Sequence, residues 1–113
     1  MKILVTGSRE WKEANVIANI LSQYPHAMII EGCARGADML AGDYAVANGL
    51  PHVMVPANWN HYGLAAGPIR NSWMLDLYPN LVIAFHHDLE NSKGTKNCIK
   101  QAGVYNIPVR LIK

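Results

Sequence analysis

The sequence predicts an α/β domain of Rossmann-like build, three-layered (α/β/α) around a five-stranded, mainly parallel sheet of order 3-2-1-4-5. Three observations carry this. Short apolar runs alternate along the chain with segments of helical periodicity, and that alternation implies a parallel sheet covered on both faces. Right-handed crossovers then leave very few topologies. Glycine-, serine- and arginine-bearing stretches follow the ends of the apolar runs, where open α/β sheets hold their ligands.

Taken in order, residues 2–6 (KILVT) form the first strand, and 12–23 a helix with Val16, Ile17, Ile20 and Leu21 on one face. Residues 27–31 (AMIIE) are the second strand. A helix over 36–48 groups Ala37, Leu40, Ala41, Tyr44 and Ala45, and Gly49 is its natural stop. Residues 52–55 (HVMV) are the third strand; 67–78 form a helix whose first turn suits Pro68 and whose Met74 and Leu75 belong to the core. Residues 81–85 (LVIAF), a helix over 94–105 and a last strand over 108–112 (PVRLI) complete the set. Each run is short, apolar and bounded by Gly, Pro, Asn or His, as buried strands are.

Composition bounds the function classes. At 113 residues, 1–113 reads as one domain, 50% hydrophobic and 16% charged, hence folded rather than disordered. Such a length buries roughly two thirds of the unfolded surface. A net charge of +2, without blocks of like charge, does not announce nucleic acid. No apolar run is long enough for a membrane span, and MKILVTGSR lacks the pattern of a signal peptide. Cys33 and Cys98 alone make neither a disulfide framework nor a four-ligand zinc site. The expected compartment is therefore the cytoplasm, with both thiols reduced, no membrane partner, no cofactor and no metal.

Four loops carry the chemistry. Strand one runs into Gly7-Ser8-Arg9, which offers a tight turn, a hydroxyl and a guanidinium. Strand two runs into Gly32-Cys33-Ala34-Arg35-Gly36-Ala37-Asp38, whose glycines at a helix start permit a phosphate to approach free backbone N–H groups. Asp38 either caps that helix or accepts hydrogen bonds from a ribose hydroxyl. The stretch 56–76 brings Trp59, His61 and Tyr62 before Gly67, Arg70 and Asn71. Its aromatic rings can stack on a base or anchor the core or an interface, and Arg70 can fork onto a phosphate or carboxylate. After strand four come His86-His87-Asp88 and Asn91-Ser92-Lys93-Gly94-Thr95-Lys96. Ser92, Gly94 and Thr95 read as a second anion cradle, without Walker spacing. Adjacent histidines in extended chain face opposite sides, so they do not share an ion. Five of the ten basic residues, Arg9, Arg35, Arg70, Lys93 and Lys96, lie in these loops. The expected ligand is a phosphate-bearing nucleotide or a derivative of one.

Together TGSREW, EGCARGAD, PANWNHYGLAAGPIRN and NSKGT resemble the YspA-like branch of the SLOG superfamily, over residues 4 to about 109. That branch is related to the Lonely Guy phosphoribohydrolases and to DNA-processing protein A. The resemblance implies a Rossmann-like fold, a pocket for a nucleotide-derived ligand and a homo-oligomer. Single-stranded nucleic acid, the alternative suggested by GCARGAD and RN, asks for an extended basic groove that ten basic residues do not readily supply. Compared with the hydrolases, Arg70 and Met74 match an RKxxM-type helix start, with Asn71 in place of Lys. Gly94 and Thr95 match PGGxGTxxE, but Cys98 holds the Glu position. A neutral thiol cannot stabilise an oxocarbenium-like transition state. N-glycosidase action would then fall to Arg70 with another carboxylate, Asp38 or Glu31, and a sensor or binder is the plainer expectation.

Overall fold

In the computed structural model, which describes residues 1–113, each inner strand sends alternate side chains to opposite faces of one sheet. The strands are β1 (Lys2–Gly7), β2 (Met28–Glu31), β3 (His52–Met54), β4 (Leu81–Phe85) and β5 (Val109–Ile112). All pairings are parallel and the order is β3-β2-β1-β4-β5, the order that the alternation of elements predicts. Ile3, Val5, Ile29, Ile83 and Phe85 face one side; Leu4, Ile30 and Val82 face the other. All eight are fully buried, so both faces must be covered.

Helices α1 (Ala14–Leu21) and α2 (Ala37–Ala47) cover the first face with Ile17, Leu21, Ala37, Ala41 and Ala45. The three α2 alanines recur every four residues with no exposure; side chains this small let the helix lie close against the sheet. After a short turn α3 (Trp59–Tyr62), α4 (Ala66–Leu75) and α5 (Gly94–Val104) cover the second face with Met74, Leu75, Cys98 and Ala102. No helix is long and apolar enough to cross a membrane.

Two departures from the predicted elements have local causes. The helix expected over 67–78 ends at Leu75 because Tyr78, at φ 53°, precedes Pro79, whose ring disfavours helical geometry in the residue before it. The stretch 56–66, read as loop, contains α3, capped by the Asn58 side chain accepting from the His61 N–H at 3.2 Å.

The topology fixes where loops converge. The chain steps outward from β1 to β3, then crosses to β4 on the other side of β1. The carboxyl ends of β1 and β4, paired from Ile3↔Leu81 to Gly7↔Phe85, therefore form the switch point where a crevice opens.

Candidate functional site

A cavity of about 560 Å³ lies at that switch point. Gly7, Ser8 and Arg9 after β1, Asp38 of α2, Trp59 of α3, Gly67, Arg70 and Asn71 of α4, and Ser92, Gly94 and Thr95 before and in α5 line it. Eleven residues singled out in the sequence thus meet at one place. Gly32 and Arg35 line a second, adjoining cavity instead. Gly36 lines neither. Its φ is 80°, and a Cβ there would lie 2.6 Å from the Arg9 carbonyl carbon, so its place is the packing of the β2–α2 loop on the β1–α1 loop. Gly36→Ala is expected to cost about 1–3 kcal/mol, read as a lower melting temperature; an unchanged melt would contradict this.

Arg70 is the centre of the arrangement. It is 8% exposed; Nη1 donates to the Gly32 carbonyl and Nε donates to Asn71 Oδ1 at 3.1 Å. A Cβ on Gly32 would lie 2.7 Å from Arg70 Cζ, so glycine there makes room for the guanidinium. Asn71 in turn donates to Asn97 Oδ1 at 3.2 Å and to the Gly94 carbonyl at 3.3 Å, joining α4 to the start of α5. The fork is held on two nitrogens, while Nη2 makes no hydrogen bond within the protein.

The two glycine-bearing loops differ in their backbone donors. In the β2–α2 loop four N–H groups are already taken. Gly32 and Ala34 donate to Asp38 Oδ2 at 3.1 and 3.4 Å, Cys33 donates to Glu31 Oε1, and Ala37 donates to the Ser8 carbonyl. Three of the donors expected there from the sequence are thus tied to two buried carboxylates, while the N–H groups of Arg35, Gly36 and Asp38 make no hydrogen bond within the protein. At the start of α5, by contrast, Thr95 donates to Ser92 Oγ at 3.0 Å, and the N–H groups of Lys93, Gly94 and Lys96 make no hydrogen bond within the protein. Helix starts of this kind attract anions through donors and dipole together.

Burial sets the proton affinities. Asp38 is 5% exposed, and burial lifts its carboxyl to about 7; the Arg70 guanidinium opposes that rise and the Glu31 charge adds to it. Burial first, and then the Glu31 and Asp38 charges, raises the Cys33 thiol. Cys98 is wholly buried among Leu4, Ile30, Met74 and Leu75, and burial pushes its thiol up to about 12. It lines neither cavity.

Thr6 and Leu64, not singled out in the sequence, line the larger cavity, and so do Lys93 and His86 of the loops after β4. His87 instead stacks on Trp11, centroids 4.2 Å apart, and pairs with Glu13 at 3.1 Å. Glu31, 2% exposed, meets His52 Nε2 at 2.6 Å. The signal for the carboxylate pair was present: EGCARGAD has an acid at each end of the glycine loop. Lys96 lies by Glu90 at 4.0 Å, outside both cavities. Trp73 is 41% exposed and meets Tyr62 edge-on, so within one copy it is not a core anchor.

Fold and cavity define a Rossmann-like α/β protein with an arginine-centred crevice at the carboxyl edge of its sheet. The chain belongs to the YspA, cpYpsA-related SLOG family, which residues 1–62 match. Gene 61 protein of Mycobacterium phage D29 is similar, 32% identical over 119 residues, covering 96% of this chain and 93% of that protein. DNA processing protein A (DprA) from Streptococcus pneumoniae shares the fold, with a TM-score of 0.81 over 99% of this chain at 19% identity. This chain spans 50% of that structure's length.

Proposed function

We propose that this protein binds a phosphate-bearing nucleotide or nucleotide derivative in the larger cavity, as a sensor or binder. The carrying observation is the free N–H groups of Lys93 and Gly94 at the start of α5, which line the larger cavity together with buried Arg70 and its free Nη2. Phosphate sits there. Asp38 takes the sugar hydroxyls, and Trp59, its ring 5.8 Å from the Arg9 guanidinium carbon, stacks on the base. SLOG membership and the DprA-like fold support a role of this nucleotide or nucleic-acid-related kind. Burial of Cys98 in the core argues against hydrolysis through that position. The exposed Trp73 and Leu64 support a homo-oligomer.

A panel of purine and pyrimidine nucleotides, followed by thermal melting, tests this. A ligand present at 100 times its dissociation constant is expected to add ~2.7 kcal/mol of apparent stability. No shift across the panel at millimolar concentration would overturn the reading. A second reading, single-stranded nucleic acid, is favoured by one observation: Trp59, which lines both cavities, is 46% exposed. Oligonucleotide affinity falling steeply with salt would support it over a free nucleotide.

A further inference from the structure

The second cavity, of about 430 Å³, shares Arg9, Ala34, Trp59 and Arg70 with the first as a common wall. Its charge is different. The larger cavity contains the Asp38 carboxylate; the smaller is lined by Arg9, Arg35 and Arg70 and by no acid. The N–H groups of Gly32, Cys33 and Ala34 beside it are committed to Asp38 and Glu31, and only that of Arg35 makes no hydrogen bond within the protein, so an anion there would be met chiefly by guanidinium groups. Arg35 pairs with Glu10 at 2.9 Å, but both side chains are about 70% exposed, at 69% and 73%. An exposed pair of this kind is worth little and exchanges readily for a phosphate, which guanidinium matches with two parallel hydrogen bonds. Arg70, nine-tenths buried, lines both cavities and has Nη2 to offer.

We propose that the ligand carries two separated phosphoryl groups, one at the start of α5 and the other among Arg9, Arg35 and Arg70, with the nucleoside crossing beside Trp59. This rests on the nucleotide reading above and narrows its chemical class. A nucleoside 3′,5′-bisphosphate and a linear dinucleotide both present phosphoryl groups on different sugar oxygens. A nucleoside diphosphate, whose phosphates are adjacent, puts both charges in one cavity.

Calorimetric titration of the whole chain with adenosine 5′-monophosphate, adenosine diphosphate and adenosine 3′,5′-bisphosphate, and with the guanosine counterparts, separates these. The bisphosphate is expected to bind at least about tenfold tighter than both the monophosphate and the diphosphate. Arg35→Ala is expected to bring the bisphosphate-to-monophosphate ratio to within about twofold of one, with an unchanged melt because the lost ion pair is exposed. The 5′-phosphorylated dinucleotides pApA and pGpG distinguish the two sources: tighter binding than the bisphosphate assigns the second phosphoryl to an internucleotide linkage, weaker binding to a terminal group. A bisphosphate no better than the diphosphate, or an advantage that survives Arg35→Ala, overturns the inference while monophosphate binding stands. If none of these probes binds, the nucleotide reading falls with it.

Discussion

Arg70→Ala is expected to weaken nucleotide binding by roughly 10- to 150-fold, the loss of one charge-assisted contact of about 1.5–3 kcal/mol. The guanidinium is positioned before any ligand arrives: Nη1 is fixed on the Gly32 carbonyl and Nε on Asn71, so little side-chain entropy is lost on binding. Lysine carries the charge but not the planar fork, and Arg70→Lys should recover only part of the affinity. The alternative role, a strut between loops, is also written into the geometry, because the alanine variant leaves the buried Gly32 carbonyl without its donor. Stability should therefore fall as well, by about 1–3 kcal/mol. Titration calorimetry beside a thermal melt separates the two effects. A folded Arg70→Ala protein with unchanged affinity would remove the residue from the binding role.

Asp38→Asn should stabilise the protein at alkaline pH and leave it nearly unchanged in acid. The carboxyl rises from the usual 3.8 of an aspartate to about 7 on folding, so the folded chain holds this proton more tightly than the unfolded one. Its contribution to stability is then greatest below 3.8, declines as pH rises toward about 7, and above that stays at its full cost. The gap corresponds to on the order of 4 kcal/mol. Asparagine removes the charge while its carbonyl oxygen can still accept from the N–H groups of Gly32 and Ala34. Denaturation of both proteins between pH 4 and 8 should show curves that meet at the acid end and separate upward. Parallel curves would show that Asp38 does not titrate in this range. Nucleotide affinity should follow the same group: it falls in the unmodified protein as pH passes 7, when a carboxylate comes to face the anion, and stays flat in the variant.

Much of the architecture was legible because its causes are local. Near-continuous apolar runs such as KILVT and LVIAF can bury both faces only in the middle of a covered sheet, and Ala37, Ala41 and Ala45 at helical spacing need a flat partner. Strand order followed from the alternation of elements and the handedness of crossovers. The convergence of Gly7, Arg9, Arg70 and Thr95 on one cavity followed from that order, because each stands just beyond a strand or at a helix start. Family membership was likewise carried by short motifs in the right sequence.

What the sequence did not disclose is which polar groups remain available once the chain is folded. Two glycine loops, GCARG and NSKGT, look alike as phosphate cradles. Only the packed protein turns three N–H groups of the first, those of Gly32, Cys33 and Ala34, toward Asp38 and Glu31, and leaves those of Lys93, Gly94 and Lys96 open in the second. The same holds for Cys98, whose place in a motif says nothing of its being sealed among Leu4, Ile30 and Met74. Composition and periodicity determine which residues are brought to the carboxyl edge of the sheet. Desolvation and hydrogen-bond partners from remote segments determine what those residues can then do, because a buried donor or acid keeps its chemistry only where no nearer group has satisfied it.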